Sequence, residues 1–141
     1  MKSHLMIKFI RLACVITFAF LAMGWYEPSR SEQSEAKEIA KAFSKAMMCV
    51  RLNEAKCYVD EDSEYGAWLL KEEAPPPFAI LGGFFMSLFG NVSVMEAEPL
   101  DEDTISFKVI FSILNFEYMS GSIYLHKTRG SWKVYRTRES R

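Results

Sequence analysis

Residues 104–116, TISFKVIFSILNF, restrict how the chain can fold more than any other stretch. Ile105, Phe107, Val109, Phe111 and Ile113 fall at every second position, so an extended backbone turns them all to one face. Ser106, Lys108 and Ser112 fall on the other face, where Ile110, Leu114 and Phe116 add partial apolar cover. A strand of about 12 residues is long against the usual 5 or 6, and a bend or bulge is expected in it. Its apolar row must be covered by something with an apolar stripe of its own.

The stripe is present upstream. Ala36, Ile39, Ala40, Phe43, Met47 and Val50 recur at three- and four-residue steps, which predicts an amphipathic helix. Glu35, Lys37, Glu38, Lys41 and Lys45 fill the wet side, and Ser29 with Glu32, or Ser31, can cap the start. A short helix is expected over 53–58, then an acidic corner, Asp60-Glu61-Asp62, read as a solvated turn. Ser63 caps a further helix over 64–73, with Tyr65, Trp68 and Leu69 on one face. Pro75, Pro76 and Pro77 end it at Ala74. Beyond residue 90 the period changes to two. Strands are expected at 91–96, 104–116, 121–127 and 131–138, with a polar turn at 98–103 and a tight turn at Thr128-Arg129-Gly130. Helices first and an antiparallel meander second is an α+β arrangement.

The first 24 residues stand apart. They carry Lys2, Lys8 and Arg11 and no acid, ahead of an apolar run over 12–26. That run of about 15 residues is short for a bilayer span of about 17–25. It fits the apolar core of a signal peptide, with Ala22-Met23-Gly24 as a cleavage site and Trp25 as the first mature residue. An uncleaved anchor with its basic end in the cytoplasm is the alternative. Either way residues 25–33 form a linker, residues 34–141 form one exported domain, and membrane contact is confined to residues 1–26. Export places the domain in the periplasm, soluble or held at the inner membrane. Net charge over all 141 residues is −1, and without the first 24 it is −4, with 14 basic against 18 acidic residues. Nothing in that balance favours a nucleic-acid partner.

Of the three cysteines, Cys14 lies in the export segment. Cys49 and Cys57 would remain in an oxidising compartment, where they can form a short-loop disulfide or stay reduced. No CxxC or His pair suggests a metal, and no glycine-rich phosphate loop or Ser-His-Asp spacing suggests a cofactor or a nucleophile. Outside the export segment the histidine is His126. It alternates with Ile123 and Leu125, so it faces away from the core with Tyr124, and no acid on that strand orients it. Glu117 reads as a surface carboxylate at a strand end. No catalytic residue is therefore expected.

The order of elements resembles the nuclear transport factor 2-like superfamily. Three features carry the resemblance: the helix-break-helix EAKEIAKAFSKAMMCVRLNEAKCYVDED, the long strand TISFKVIFSILNF, and the ending SGSIYLHKTRGSWKVYRTR. In that ending Leu125, Lys127, Gly130, Trp132, Lys133 and Val134 fit a pattern frequent in exported members. The resemblance spans roughly residues 31–138. It implies helices packed in a strongly curved, cone-shaped antiparallel sheet, and dimers through the outer sheet face, which Ile110, Leu114 and Tyr124 make partly apolar. It does not imply one activity.

The segment PPPFAILGGFFMSLFG at 75–90 matches no motif of that superfamily. It is too short to span a membrane, and Gly82-Gly83 is expected to break it or to mark a close-packing point. It is expected to cap the wide end of the cone, with Phe84, Phe85 and Leu88 inward. If exposed, it would mark an interaction site. Trp68, Phe78, Phe84, Phe85, Phe89, Phe107 and Trp132, with Phe111, are the candidates for contacting a ligand or partner, although helix and strand spacing explains most of them as core. The leading expectation is an exported, non-catalytic binding or assembly domain for an envelope protein or an apolar small molecule. A pocket enzyme of the isomerase or cyclase type and a membrane-anchored periplasmic subunit of a secretion system are the alternatives.

Overall fold

The computed structural model describes residues 6–8, 10–12, 14 and 28–140. The cleavage site, most of the apolar run and the start of the linker lie outside the described residues. Among the described residues, no helix is long and apolar enough to cross a membrane.

Helix α1 runs over Arg30–Met48, and Ser29 Oγ accepts from the Glu32 N–H, as the capping pattern predicts. Its buried residues are Ala36, Ala40, Phe43, Ser44 and Ala46. The alanines let the helix axis approach the sheet, while Phe43 fills the space between them. The hydroxyl of Ser44 is satisfied inside the helix by the Ala40 carbonyl at 2.7 Å. Val50 ends the turn with φ of 58°, a costly conformation for a β-branched residue. A short helix α2 (Leu52–Ala55) and a 3₁₀ turn (Lys56–Tyr58) follow, then α3 (Glu64–Lys71), capped by Ser63 through the Gly66 N–H. Helix α3 stops at Lys71, three residues before the expected end.

The described residues form a four-stranded antiparallel sheet in the order β1-β2-β3-β4: β1 (Gly90–Asp101), β2 (Thr104–Ile113), β3 (Phe116–Thr128) and β4 (Ser131–Glu139). The meander is as expected, with three corrections. The stretch at 104–116 is two strands, because Leu114 takes φ of 57° and turns the chain into a hairpin. Strand β1 does not stop at residue 96. It continues through Pro99, which an edge strand tolerates, with bulges near Val94/Ala97 and Pro99/Asp101. Strand β3 starts five residues earlier than expected, as the return arm of that hairpin. The β3–β4 turn has Arg129 and Gly130 at φ of 53° and 81°, the mirror-image geometry that matches strand twist.

The row Ile105, Phe107, Val109 and Phe111 is buried against α1, and pairs laterally with Leu125, Ile123, Gly121 and Met119 on β3. Trp132 and Val134 of β4 complete the floor. Helices on one side of a curved antiparallel sheet make this an α+β fold, as the patterning predicts.

The segment 75–90 departs from expectation. Helix α4 (Pro77–Phe89) runs unbroken through Gly82-Gly83, with Pro77 at its first position, where a missing N–H costs nothing. Of its residues, all of them described, Gly83 alone is buried. A Cβ there would stand 2.1 Å from the Cys49 carbonyl oxygen, so the second glycine is the close-packing point rather than a break. Phe84, Phe85 and Leu88 do not cap the core. All three are exposed, because α4 meets α1 and β1 over a narrow strip and turns its bulk outward.

Candidate functional site

Three places hold chemistry: the outer edge of β4, the interior cavity and the surface of α4. The first was not legible as a site. Val59 bridges Val134 in parallel, and the Asp60 N–H donates to the Val134 carbonyl at 2.8 Å. This puts Val59 in the core and turns the Asp60 carboxylate to the opposite face, where it pairs with His126 Nε2. Asp60 is 8% exposed. Its other carboxylate oxygen, Oδ1, accepts from the Asp62 N–H at 3.0 Å, and its carbonyl accepts from the Ser63 N–H and hydroxyl. The acidic corner is therefore a fixed loop at Asp60, and solvated only at Glu61 and Asp62. Gly66 holds it from the other side, because a Cβ there would fall 1.8 Å from the Asp60 oxygen.

His126 does face away from Leu125, as alternation requires, but it is half-buried rather than exposed. Its orienting acid comes from a loop 66 residues earlier, not from its own strand. The β3–β4 ladder slips between Tyr124 and Leu125, leaving Tyr135 as an extra residue on β4. That bulge aims the Tyr135 ring onto His126, stacked at 4.4 Å between centroids and 16° between planes. Burial raises the Tyr135 phenol above its usual range, with Asp101 adding to the shift. Next to it Arg136 lies over the Tyr124 ring at 5.4 Å. Trp68 and Tyr65 of α3, 5.8 Å apart, form the far wall of the same depression.

The interior cavity, about 180 Å³, lies between α1 and strands β2–β4. Phe43, Met47, Tyr65, Phe111 and Ile123 line it, with Arg138 and Glu139 at the rim. Burial also raises the Tyr65 phenol, partly offset by its hydrogen bond with Thr137. This cavity is small beside the 300–1,000 Å³ of a typical ligand pocket.

The seven aromatic candidates do not meet in one place. Phe107 and Trp132 are core, Trp68 lines the β4 edge, and Phe78, Phe84, Phe85 and Phe89 lie on α4. With Ile80, Leu81 and Leu88 they make seven large exposed apolar side chains on a 13-residue helix that carries no charge. The β2–β3 hairpin tip adjoins its end through the Leu114 N–H to Phe89 carbonyl bond, and adds exposed Leu114 and Phe116. Cys49 and Cys57 are free thiols. Cys49 is buried, and Cys57 points out, donating to the Asn53 carbonyl at 3.4 Å. Glu117 is exposed. Among the described residues no cluster of three metal-ligating side chains occurs.

No family model and no curated protein matches the chain. Solved structures similar to the chain include the following two. A protein of unknown function from Nostoc punctiforme, with a cystatin-like fold, aligns at TM-score 0.53 and 11% identity over 80% of this chain and 92% of its own. Bdellovibrio bacteriovorus Bd1075 aligns at TM-score 0.48 and 14% identity over 79% of this chain and 42% of its own. The first of these likenesses shows the fold: a cystatin-like α+β domain.

Proposed function

We propose that the chain is an exported, non-catalytic binding or assembly domain of the nuclear transport factor 2-like type, which engages a protein partner through α4 and the adjoining hairpin tip. The observation that carries this reading is the exposed apolar face of α4. A folded domain rarely leaves seven large apolar side chains of one helix in water unless something covers them. The outer sheet face is a weaker candidate for a dimer contact, because Lys108, Arg136 and Arg138 share it with Ile110 and Tyr124. An apolar small molecule between α1 and the sheet is a weaker alternative, because the cavity there measures only about 180 Å³.

The export reading rests on the basic start and apolar run of the first 26 residues. If that segment stays in the membrane, the domain is an anchored periplasmic subunit. The anchor would then enter at the start of α1, while α4 packs at its far end, about 28 Å away at 1.5 Å per residue. Sequencing the mature N-terminus distinguishes cleavage, which starts the protein at Trp25, from anchoring.

Phe84→Asp and Leu88→Asp test the reading, with sedimentation and a pull-down from envelope extract as readouts. Both positions are more than half exposed, so the thermal midpoint is expected to hold while association is lost. A wild-type protein that stays monomeric and retains no partner, or variants that associate as before, would sink the proposal.

A further inference from the structure

The depression at the β4 edge carries chemistry that a partner surface on α4 does not use. It lies between β4 and the loop leading into α3, with a volume of about 700 Å³. Three aromatic rings stand in its wall: Trp68 and Tyr65 from α3, and Tyr135 from the bulge. Its ionisable lining is three carboxylates, Asp60, Asp62 and Glu64, against one guanidinium, Arg136, with His126 between them. The carboxylate of Asp60 only accepts hydrogen bonds, so in a neutral imidazole the proton is on Nε2 and the lone pair is on Nδ1. Among the described residues Nδ1 has no protein partner. Asp60 is bonded at both oxygens and at its backbone, so the imidazole is held by a carboxylate that cannot drift.

We propose that this depression binds a small organic cation, a protonated amine joined to an aromatic or apolar group. The ring faces of Trp68 and the tyrosines attract a cation and stack with its apolar body. The exposed carboxylates of Asp62 and Glu64 give the mouth a negative field. His126 Nδ1 accepts one ammonium N–H. An anion of the same shape would meet three carboxylates, and a neutral analogue would gain only the stacking. This site is separate from α4, none of whose residues lines the depression.

Titrating four probes into the full-length protein, and following the Trp68 indole and His126 imidazole by NMR, tests the assignment. Benzylammonium is expected to shift both signals saturably and to bind about tenfold more tightly than benzyl alcohol, a difference of about 1.4 kcal/mol. Benzyltrimethylammonium, which has no N–H, is expected to shift Trp68 but bind more weakly. Trp68→Ala is expected to weaken benzylammonium about two- to fivefold, and Asp62→Asn with Glu64→Gln to erase the preference over benzyl alcohol. Trp68, Asp62 and Glu64 are all exposed, and an unchanged melting curve checks that each variant is folded. Benzoate binding as tightly as benzylammonium, shifts that never saturate, or a Trp68→Ala protein that binds unchanged would each overturn the proposal.

Discussion

The two glycines of α4 offer a matched pair of substitutions whose difference can be worked from geometry. Gly82 and Gly83 are neighbours in one helix, and alanine at either gains about the same helix propensity, about 0.8–1 kcal/mol. Their surroundings differ. A Cβ at Gly82 meets nothing within 4 Å, whereas one at Gly83 lands 2.1 Å from the Cys49 carbonyl oxygen and 3.1 Å from Val50 Cβ. The obstacle is backbone, so α4 itself must move out by about 1 Å to restore ordinary contact. The propensity gain cancels between the variants, and the overpacking cost of about 1–3 kcal/mol is left. At about 4 °C per kcal/mol for a domain of this size, Gly83→Ala should melt roughly 4–12 °C below Gly82→Ala. Thermal unfolding followed by circular dichroism measures the separation. Hydrogen exchange of the α4 amides shows whether the lost stability is local to that helix. A Gly83→Ala protein as stable as Gly82→Ala would refute the close-packing account of how α4 is held.

Two further outcomes follow from polar contacts. Asp60→Ala removes the partner of His126 and the turn bond to Asp62 from a buried site, and should cost about 1.5–3 kcal/mol in urea unfolding; a loss under about 0.5 kcal/mol would mean that the loop is held by Val59 and Ser63 alone. Glu32 and Lys127 form a charge-assisted bond at 2.6 Å, and the hydrogen bond between them lowers the Glu32 pKa from 4.5 and raises that of Lys127 from 10.5. The stability it adds is present above pH 4.5 and is lost as pH falls through the depressed Glu32 value. On the alkaline side it is present below pH 10.5 and lost as pH rises through the raised Lys127 value. Glu32→Gln should therefore be less stable than wild type between those limits and equal to it in strong acid; a gap that persists in acid would exclude the ion pair as its cause.

Much of the fold was legible because it rests on periodicity. The spacing from Ala36 to Met47, the Ser29 and Ser63 caps, the alternating row from Ile105 to Phe111 and the glycine turn at residue 130 each carry a local physical signature. The hairpin at Leu114 was not legible, because a leucine with positive φ is imposed by the strands it joins. Pro99 read as a turn because its tolerance depends on β1 being an edge, a property of the assembled sheet. Gly82-Gly83 read equally as a break or a close-packing point because glycine permits both, while the contact that decides between them lies on Cys49. The β4-edge site was the least legible. Asp60 is one acid among three, and nothing within its own loop marks it as the one whose backbone docks on Val134. The bulge at Tyr135 arises from a slip between two strands, which neither strand shows alone.

The 66-residue separation between Asp60 and His126 also bears on when the site comes into being. Closing a loop of that length costs entropy before any contact repays it, and contacts distant in sequence tend to form late in folding. Until β4 has paired with β3 there is no edge for Val59 and Asp60 to dock on. By that reasoning the pocket is absent from partly folded chains and appears with the last step of assembly. Interactions made after the folding barrier slow unfolding without hastening folding. The Asp60–His126 tie would then set how long the native domain persists, and leave the speed of reaching it to α1 and the hairpins.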